Sequence, residues 1–357
     1  MKKIAFLAAV AATLCTVACM VSCNKNDGPD PVLPAQPESQ AGQEAEQVSL
    51  TVNIGGVGGI MKTKSTSPAS REAKILNAQV FVFNDNWLDG YNRVVLDDDP
   101  LNPSEPITSI SVNCSAGERS VYVLINHPTE LNSIVTKTEF LAITSSLSQN
   151  SHYNMVMIGN DTFTLPQAEA VTIDVHRLLA RVVIKKITRA FTVTAQAAQN
   201  FNINEIFMIN VAGDTNLGET AAPTNWYNQR AYASEQGSLT HDSLNQTLAN
   251  NASYATAHYF YVYPNPTVED SQATIWSPRY TRLVVKATLG SDVYYYPINL
   301  PGIESNKSYE IDELILTRPG SDTPDQPVTF QDCSFNINVV GWSTVTVADE
   351  GEDDITI

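Results

Sequence analysis

Cysteine is scarce in the body of this chain. Three of its five cysteines, Cys15, Cys19 and Cys23, crowd into the N-terminus, and only Cys114 and Cys333 lie beyond it. A disulfide framework is thereby excluded. The two remaining cysteines stand in different halves, so two separately buried thiols are expected rather than a bridge. Histidine is equally thin: His127, His152, His176, His241 and His258 are scattered without metal-ligand spacing, and no serine occupies a nucleophile elbow. The expectation is no enzyme, no metal site and no cofactor. Positive charge is short as well, with 21 Lys and Arg against 38 Asp and Glu, a formal net charge of −17 that becomes −19 without Lys2 and Lys3. Such a balance argues against nucleic acid and anionic lipid as partners.

Three local motifs invite a chemical reading and do not sustain it. The run from Gly55 to Thr63 resembles a phosphate loop, but no glycine precedes Lys62, and a Ser/Thr/Pro coil follows where a helix is required. Asp97 to Asp99 and Glu352 to Asp354 lack the glycine-punctuated spacing of a calcium loop and read as solvated charge. The aromatic runs Tyr259 to Tyr263 and Tyr294 to Tyr296 suit cross-strand packing better than a sugar platform.

What is present begins with an export signal. Lys2 and Lys3, an apolar stretch from Ile4 to about Val17 and then small residues up to Cys23 form a secretory leader too short to span a membrane. A small residue before a cysteine at such a position resembles a bacterial lipobox. It makes Cys23 the lipidated first residue of the processed chain, palmitate included, with Cys19 the second candidate and ordinary secretion the plain alternative. Residues 1–22 are then leader. Residues 23–47, rich in Pro, Gln and Glu, are a disordered tether.

The remaining chain, about 310 residues, suits two domains. Short runs rich in Val, Ile, Tyr and Thr predict strands at 48–54, 76–83, 108–112, 119–125, 155–158, 171–175, 180–187, 203–211, 258–263, 282–289, 293–300, 308–317 and 335–340. The best helical pattern covers 138–147. This is the profile of an all-β chain of antiparallel sandwiches. Residues 108–126 and 281–299 each read as strand, glycine-containing hairpin, strand. Two similar domains, 48–177 and 178–357, meeting near His176 to Leu178, explain that echo.

The chain ends carry a further pattern. The strand with Val48, Leu50, Val52 and Ile54 is followed by a Gly/Ser/Thr segment that ends at a lone Arg71, in a context that favours an exposed loop. Past Trp342 come Val345 and Val347, an acidic spacer, and Ile355 and Ile357. One end has a strand that can be cut away, and the other a strand free to be given away. That suits a subunit built to polymerise.

Several blocks resemble a known family in order along the chain: Asn113 to Pro128, Asn154 to Gly159, Val175 to Ile184, Thr281 to Val285, Tyr295 to Ile298, Tyr309 to Ile311, Leu316 to Ser321 and Val339 to Trp342. They are similar to those of the FimA/Mfa1-type fimbrillins of Bacteroidetes, the type V pilus subunit family. The resemblance implies two transthyretin-like antiparallel β-sandwich domains in tandem and export to the outer membrane as a lipoprotein. It further implies cleavage by a trypsin-like protease between Arg71 and Glu72, with Lys62 and Lys64 as alternatives if lysine is accepted. Cleavage removes the first strand within 48–71, and the tail 343–357 of a neighbouring subunit fills the groove by donor-strand exchange.

The implied product is a cell-surface fimbria for adhesion, with other fimbrial subunits as partners, in a homo-polymer or with minor subunits, and a host glycan or protein as receptor. The tail departs from a plain donor strand, because Gly351 and three consecutive acidic residues, Glu352 to Asp354, stand between its apolar pairs. A tip or anchor subunit of the same fimbria is therefore the near alternative. A surface glycan-binding lipoprotein is the second class, and it needs an exposed aromatic platform.

Overall fold

Alternating apolar side chains turn the first half of the chain into two stacked sheets. The computed structural model describes residues 46–56, 72–96, 106–271, 273–326 and 332–342. β1 (Gln47–Gly55) buries Leu50 and Val52. β2 (Asn77–Asn84) and β3 (Trp87–Val95) form an antiparallel pair. β4 (Ser109–Ser115) turns Ile110, Val112 and Cys114 inward and leaves Ser109, Ser111 and Asn113 exposed, the two-residue period of a half-buried strand. Next come β5 (Gly117–Ile125), β6 (Thr144–Ser146), β7 (Met157–Leu165), β8 (Val171–Asp174) and β9 (His176–Arg177). One sheet has the order β4-β1-β8 and the facing sheet β3-β2-β5-β7-β9.

β4 and β5 are separated by Ala116 alone, yet they lie in different sheets: β4 pairs with β1, and β5 with β2 and β7. The reading of 108–126 as a hairpin is thus corrected. Cys114 and Ser115 are buried in succession, which breaks the alternation, and Gly117 at φ +115 lets the chain turn into the second layer. Asp89 braces this corner, accepting hydrogen bonds from Ser115 N at 2.8 Å, Ser115 Oγ at 2.6 Å and Arg119 Nε at 2.7 Å. Burial pushes the Asp89 carboxyl up, but the bonds from Ser115 and Arg119 outweigh it and hold the group below its usual range.

β2 is buried on both faces because a helix covers the outer one. Helix Lys137–Ala142 starts with a capping box between Thr136 and Glu139 and seats Phe140 among Phe81, Phe83 and Tyr122, with ring centroids 4.5, 5.9 and 5.4 Å away. The expected helix to residue 147 stops at Ala142. β-branched Ile143 takes extended backbone, and Thr144–Ser146 pairs with a strand of the second half, so tertiary pairing overrides local propensity.

The second half repeats the plan. Its strands are β10 (Ala180–Ile184), β11 (Ile187–Arg189), β12 (Phe201–Ile209), β13 (Val211–Ala212), β14 (Asp214–Asn216) and β15 (Trp226–Tyr227). They continue through β16 (His241–Thr247), β17 (Ser253–Tyr254), β18 (His258–Val262), β19 (Thr281–Leu289), β20 (Asp292–Leu300), β21 (Lys307–Leu316) and β22 (Cys333–Gly341). Sheet β16-β12-β19-β20 matches β3-β2-β5-β7, and β17-β11-β21-β10-β18, with β22 added on β21, matches β4-β1-β8. The echo of 281–299, a true hairpin through Gly290, is therefore β5 with β7. The sandwiches are antiparallel except where β1 meets β8 and where β10 and β11 meet β21, pairs that run parallel.

β3 and β16 escape sequence reading for one reason. Both are sheet edges, and polar residues such as Asp89 and Asn92, or Asp242 and Asn245, interrupt any apolar run. The halves share one apolar core cluster, joined also by β6 on β14 and by Tyr263 Oη, which lies 2.7 Å from Ser145 Oγ and accepts from Asn150 Nδ2 at 2.9 Å. Cys114 and Cys333 are both buried and free, as expected.

Candidate functional site: the first strand and the Glu72 cluster

β1 is the first strand of the described residues but the inner strand of its sheet. Residues 47–53 pair antiparallel with 109–115 of β4, and 52–55 pair parallel with 171–174 of β8. Leu50 and Val52 are 2% and 0% exposed, while Val48 and Ile54 pack half-buried against the same core. The far end of β1 is fitted closely. Gly56, at φ +77, passes Val175 so tightly that a Cβ there would come within 2.6 Å of its carbonyl oxygen. Taking β1 away would leave two unpaired strand edges facing each other across an apolar slot, a state that water penalises.

Glu72 stands sixteen positions beyond Gly56 in sequence, and it is 2% exposed. The context around Arg71 predicts an exposed loop, so burial of the residue just after it departs from that expectation. The reason is a ring of donors. Glu72 Oε1 accepts from Tyr261 Oη at 2.6 Å, and Oε2 accepts from Arg181 Nη1 and from Trp342 Nε1, both at 3.0 Å. Its carbonyl oxygen accepts from Arg177 Nε at 3.2 Å, and Arg177 Nη1 donates to the Trp342 carbonyl at 3.2 Å. The Trp342 ring stacks on Tyr261 at 5.7 Å, with the guanidinium carbons of Arg177 and Arg181 at 4.6 and 5.3 Å. Burial pulls the Arg177 pKa down to about 10 against the opposing pull of Glu72. Burial and the adjacent Glu72 charge raise that of Tyr261.

Of the residues singled out in the sequence, the structure thus places Val48, Leu50, Val52 and Ile54 in one slot and Glu72 in one cluster. Cys23, Arg71, Val345, Val347, Ile355 and Ile357 lie outside the described residues, as do Asp97 to Asp99 and Glu352 to Asp354. Sequence reasoning missed Arg177, Arg181, Tyr261 and Trp342 as a set. The signal was there, in two arginines within the otherwise apolar run 177–184 and a late lone tryptophan, but nothing in spacing joins them. Phe260, Tyr261, Tyr263 and Tyr296 are buried, which removes these aromatics from any sugar platform. Among the described residues no group of three or more His, Cys, Asp or Glu side chains is disposed to hold a metal.

Comparison with known proteins agrees with this geometry. A family model described as the major fimbrial subunit protein (FimA) matches residues 47–176, from β1 to β9. Among solved structures, the fimbrilin FimA of Porphyromonas gingivalis is 18% identical with a TM-score of 0.59, over 83% of this chain and 97% of that one. A candidate cell adhesion protein of Parabacteroides distasonis is 22% identical with a TM-score of 0.60, again over 83% and 97%. The tip fimbrial protein Mfa3 of Porphyromonas gingivalis, with a C-terminal truncation, is 12% identical with a TM-score of 0.50, over 83% and 100%. At these identities the structural likeness is one of fold. No curated protein sequence matches. It is thus the segment from β1 to β9, residues 47–176, that matches the major fimbrial subunit (FimA) family.

Proposed function

We propose that the protein is a structural subunit of a cell-surface fimbria, exported as a lipoprotein at Cys23 and cut between Arg71 and Glu72 by a trypsin-like protease. A neighbour's segment 343–357 then takes the place of β1, through Val345 and Val347 or Ile355 and Ile357. On this reading the domains run 48–177 and 178–357, the lipid holds the precursor to the outer membrane, and the assembled fibre serves adhesion to a host glycan or protein.

The observation that carries the reading is the position of β1, an inner strand that precedes every other strand among the described residues, so one cut after it separates it from all of them. While tethered, β1 competes with any donor at an effective concentration of the order of millimolar. Severing the tether is what gives a neighbour's strand its chance. The slot offers that strand ladders on two sides as well as buried side chains, the mode of recognition in which main-chain bonds give affinity and alternate pockets give register.

Incubating the precursor with a trypsin-like protease tests the reading. Glu72 is expected as the new N-terminus, followed by a heat-resistant ladder of oligomers that deletion of 343–357 abolishes. A different N-terminus, or a clean cut with no ladder, counts against a shaft subunit. A cut chain that joins fibres of other subunits without forming its own would instead favour the tip role that the divided acidic tail suggests.

A further inference from the structure

Glu72 and Trp342, 270 positions apart, meet at one carboxylate. Trp342 follows directly on β22, the last strand of the described residues. A bulge between Ile311 and Leu314 divides the β21·β22 ladder into 314–316 with 333–335, and 307–311 with 337–341. In the outer part Val339 and Val340 are 55% and 44% exposed, so little apolar burial holds it. Trp342, at 2% exposed, ends that stretch and is its anchor.

We propose that the Glu72 carboxylate is a latch: it fixes the 337–342 end of β22 in the uncut chain, and cutting the Arg71–Glu72 bond loosens it. One cleavage would then open the acceptor slot and free the root of the C-terminal segment together. The latch stands on geometry alone. The coupling rests on the cleavage proposed above.

Charge supplies the coupling. Two guanidiniums, Arg177 and Arg181, share the cluster with Glu72, and Arg181 also reaches Glu310 at 3.4 Å. Arg177 Nη2 is buried and makes no hydrogen bond, so the cluster already holds more donors than its acceptors satisfy. Hydrolysis adds water across the bond. A carboxylate departs with Arg71, and the amine left on Glu72 takes up a proton at neutral pH. This third cation forms on the residue whose carbonyl already receives Arg177 Nε. Like charges brought together out of water repel strongly, and the new ammonium also competes for the Glu72 carboxylate that Trp342 and Tyr261 now use.

Hydrogen exchange read by mass spectrometry on the full chain decides both parts. In the uncut chain, Glu72→Gln is expected to speed exchange of the 337–341 amides about tenfold or more, leaving 333–335 behind the bulge unchanged. Trp342→Phe, which keeps a stacking ring but deletes the N–H together with part of the indole, is expected to do the same and is the second variant should Glu72→Gln not fold. Unchanged protection of 337–341 overturns the latch. For the coupling, wild-type chain is pulse-labelled within minutes of cutting, and the same acceleration is expected. Full protection of 337–341 with Glu72 verified as the N-terminus overturns the coupling and leaves the latch. Cleavage elsewhere than Glu72 defeats the cleavage reading and the coupling with it, while the uncut variants still judge the latch.

Discussion

Three arginines, Arg177, Arg189 and Arg282, are fully buried in strands that otherwise read as apolar, and the way each is satisfied tells its role. Arg189 spends its donors on the carbonyls of Leu248, Gln196, Ala197 and Gln199, tying down a loop. Arg282 binds Asp270 through two bonds and Asp325 through a third. Arg177, like Arg189, has only carbonyls and aromatic rings for partners and one nitrogen unpaired, but it sits at the cluster proposed to change. A residue at the other site reports on β1 directly. Cys114 lies opposite Val48, is 0% exposed, and has its thiol pushed up by burial and by nearby Asp89. Alkylation of Cys114 is expected to be slow in the uncut chain, fast once the 23–71 peptide has separated, and slow again in the fibre. Cys333, also buried and at the inner end of β22, is the reference. A Cys114 that stays inert after β1 is lost contradicts the slot.

At the level of elements, β1 should matter to the precursor and not to the product. Leu50→Ala removes a fully buried side chain, and the expected cost is about 2 to 5 kcal/mol to the uncut chain, seen as a lower thermal midpoint. On the proposed exchange β1 is replaced in the assembled fibre, so the same substitution should leave disassembly unchanged. A fibre weakened by Leu50→Ala would mean that β1 is retained. How much of this was legible follows from the same physics. β1, β2, β5, β19 and β20 announce themselves because burial on one or both faces writes an apolar pattern into the chain. β3 and β16 do not, since edge strands are built from polar residues. The corner at Gly117 and the parallel pairing of β1 with β8 depend on which sheet a strand joins, and no local pattern encodes that. The residues of the slot were legible as an alternating strand. The Glu72 cluster was not, since it gathers residues from positions 72, 177, 181, 261 and 342.

For the whole molecule, β1 is expected to stabilise more than the sandwich it belongs to. Leu50 and Val52 belong to the same core cluster as Phe260 and Tyr263, and β6 on β14 makes the halves share a ladder. A cut chain lacking 343–357 has an open slot and no donor, so it isolates this effect. Adding the peptide of β1, Gln47–Gly55, should restore the slot in trans. Because it binds only the folded chain, it should raise stability with concentration, by about 2.7 kcal/mol at a hundredfold excess over its Kd. Calorimetry should then show one transition moving upward as a unit, since the loss of β1 is felt through the shared core. The Leu50→Ala peptide should need a higher concentration for the same shift, and a scrambled peptide should give none. If only part of the heat uptake moves, the halves respond separately and the common core does not transmit the strand's binding. If nothing moves while Cys114 stays open to alkylation, the space between β4 and β8 is not a receptor for a strand, and polymerisation through it has no physical basis.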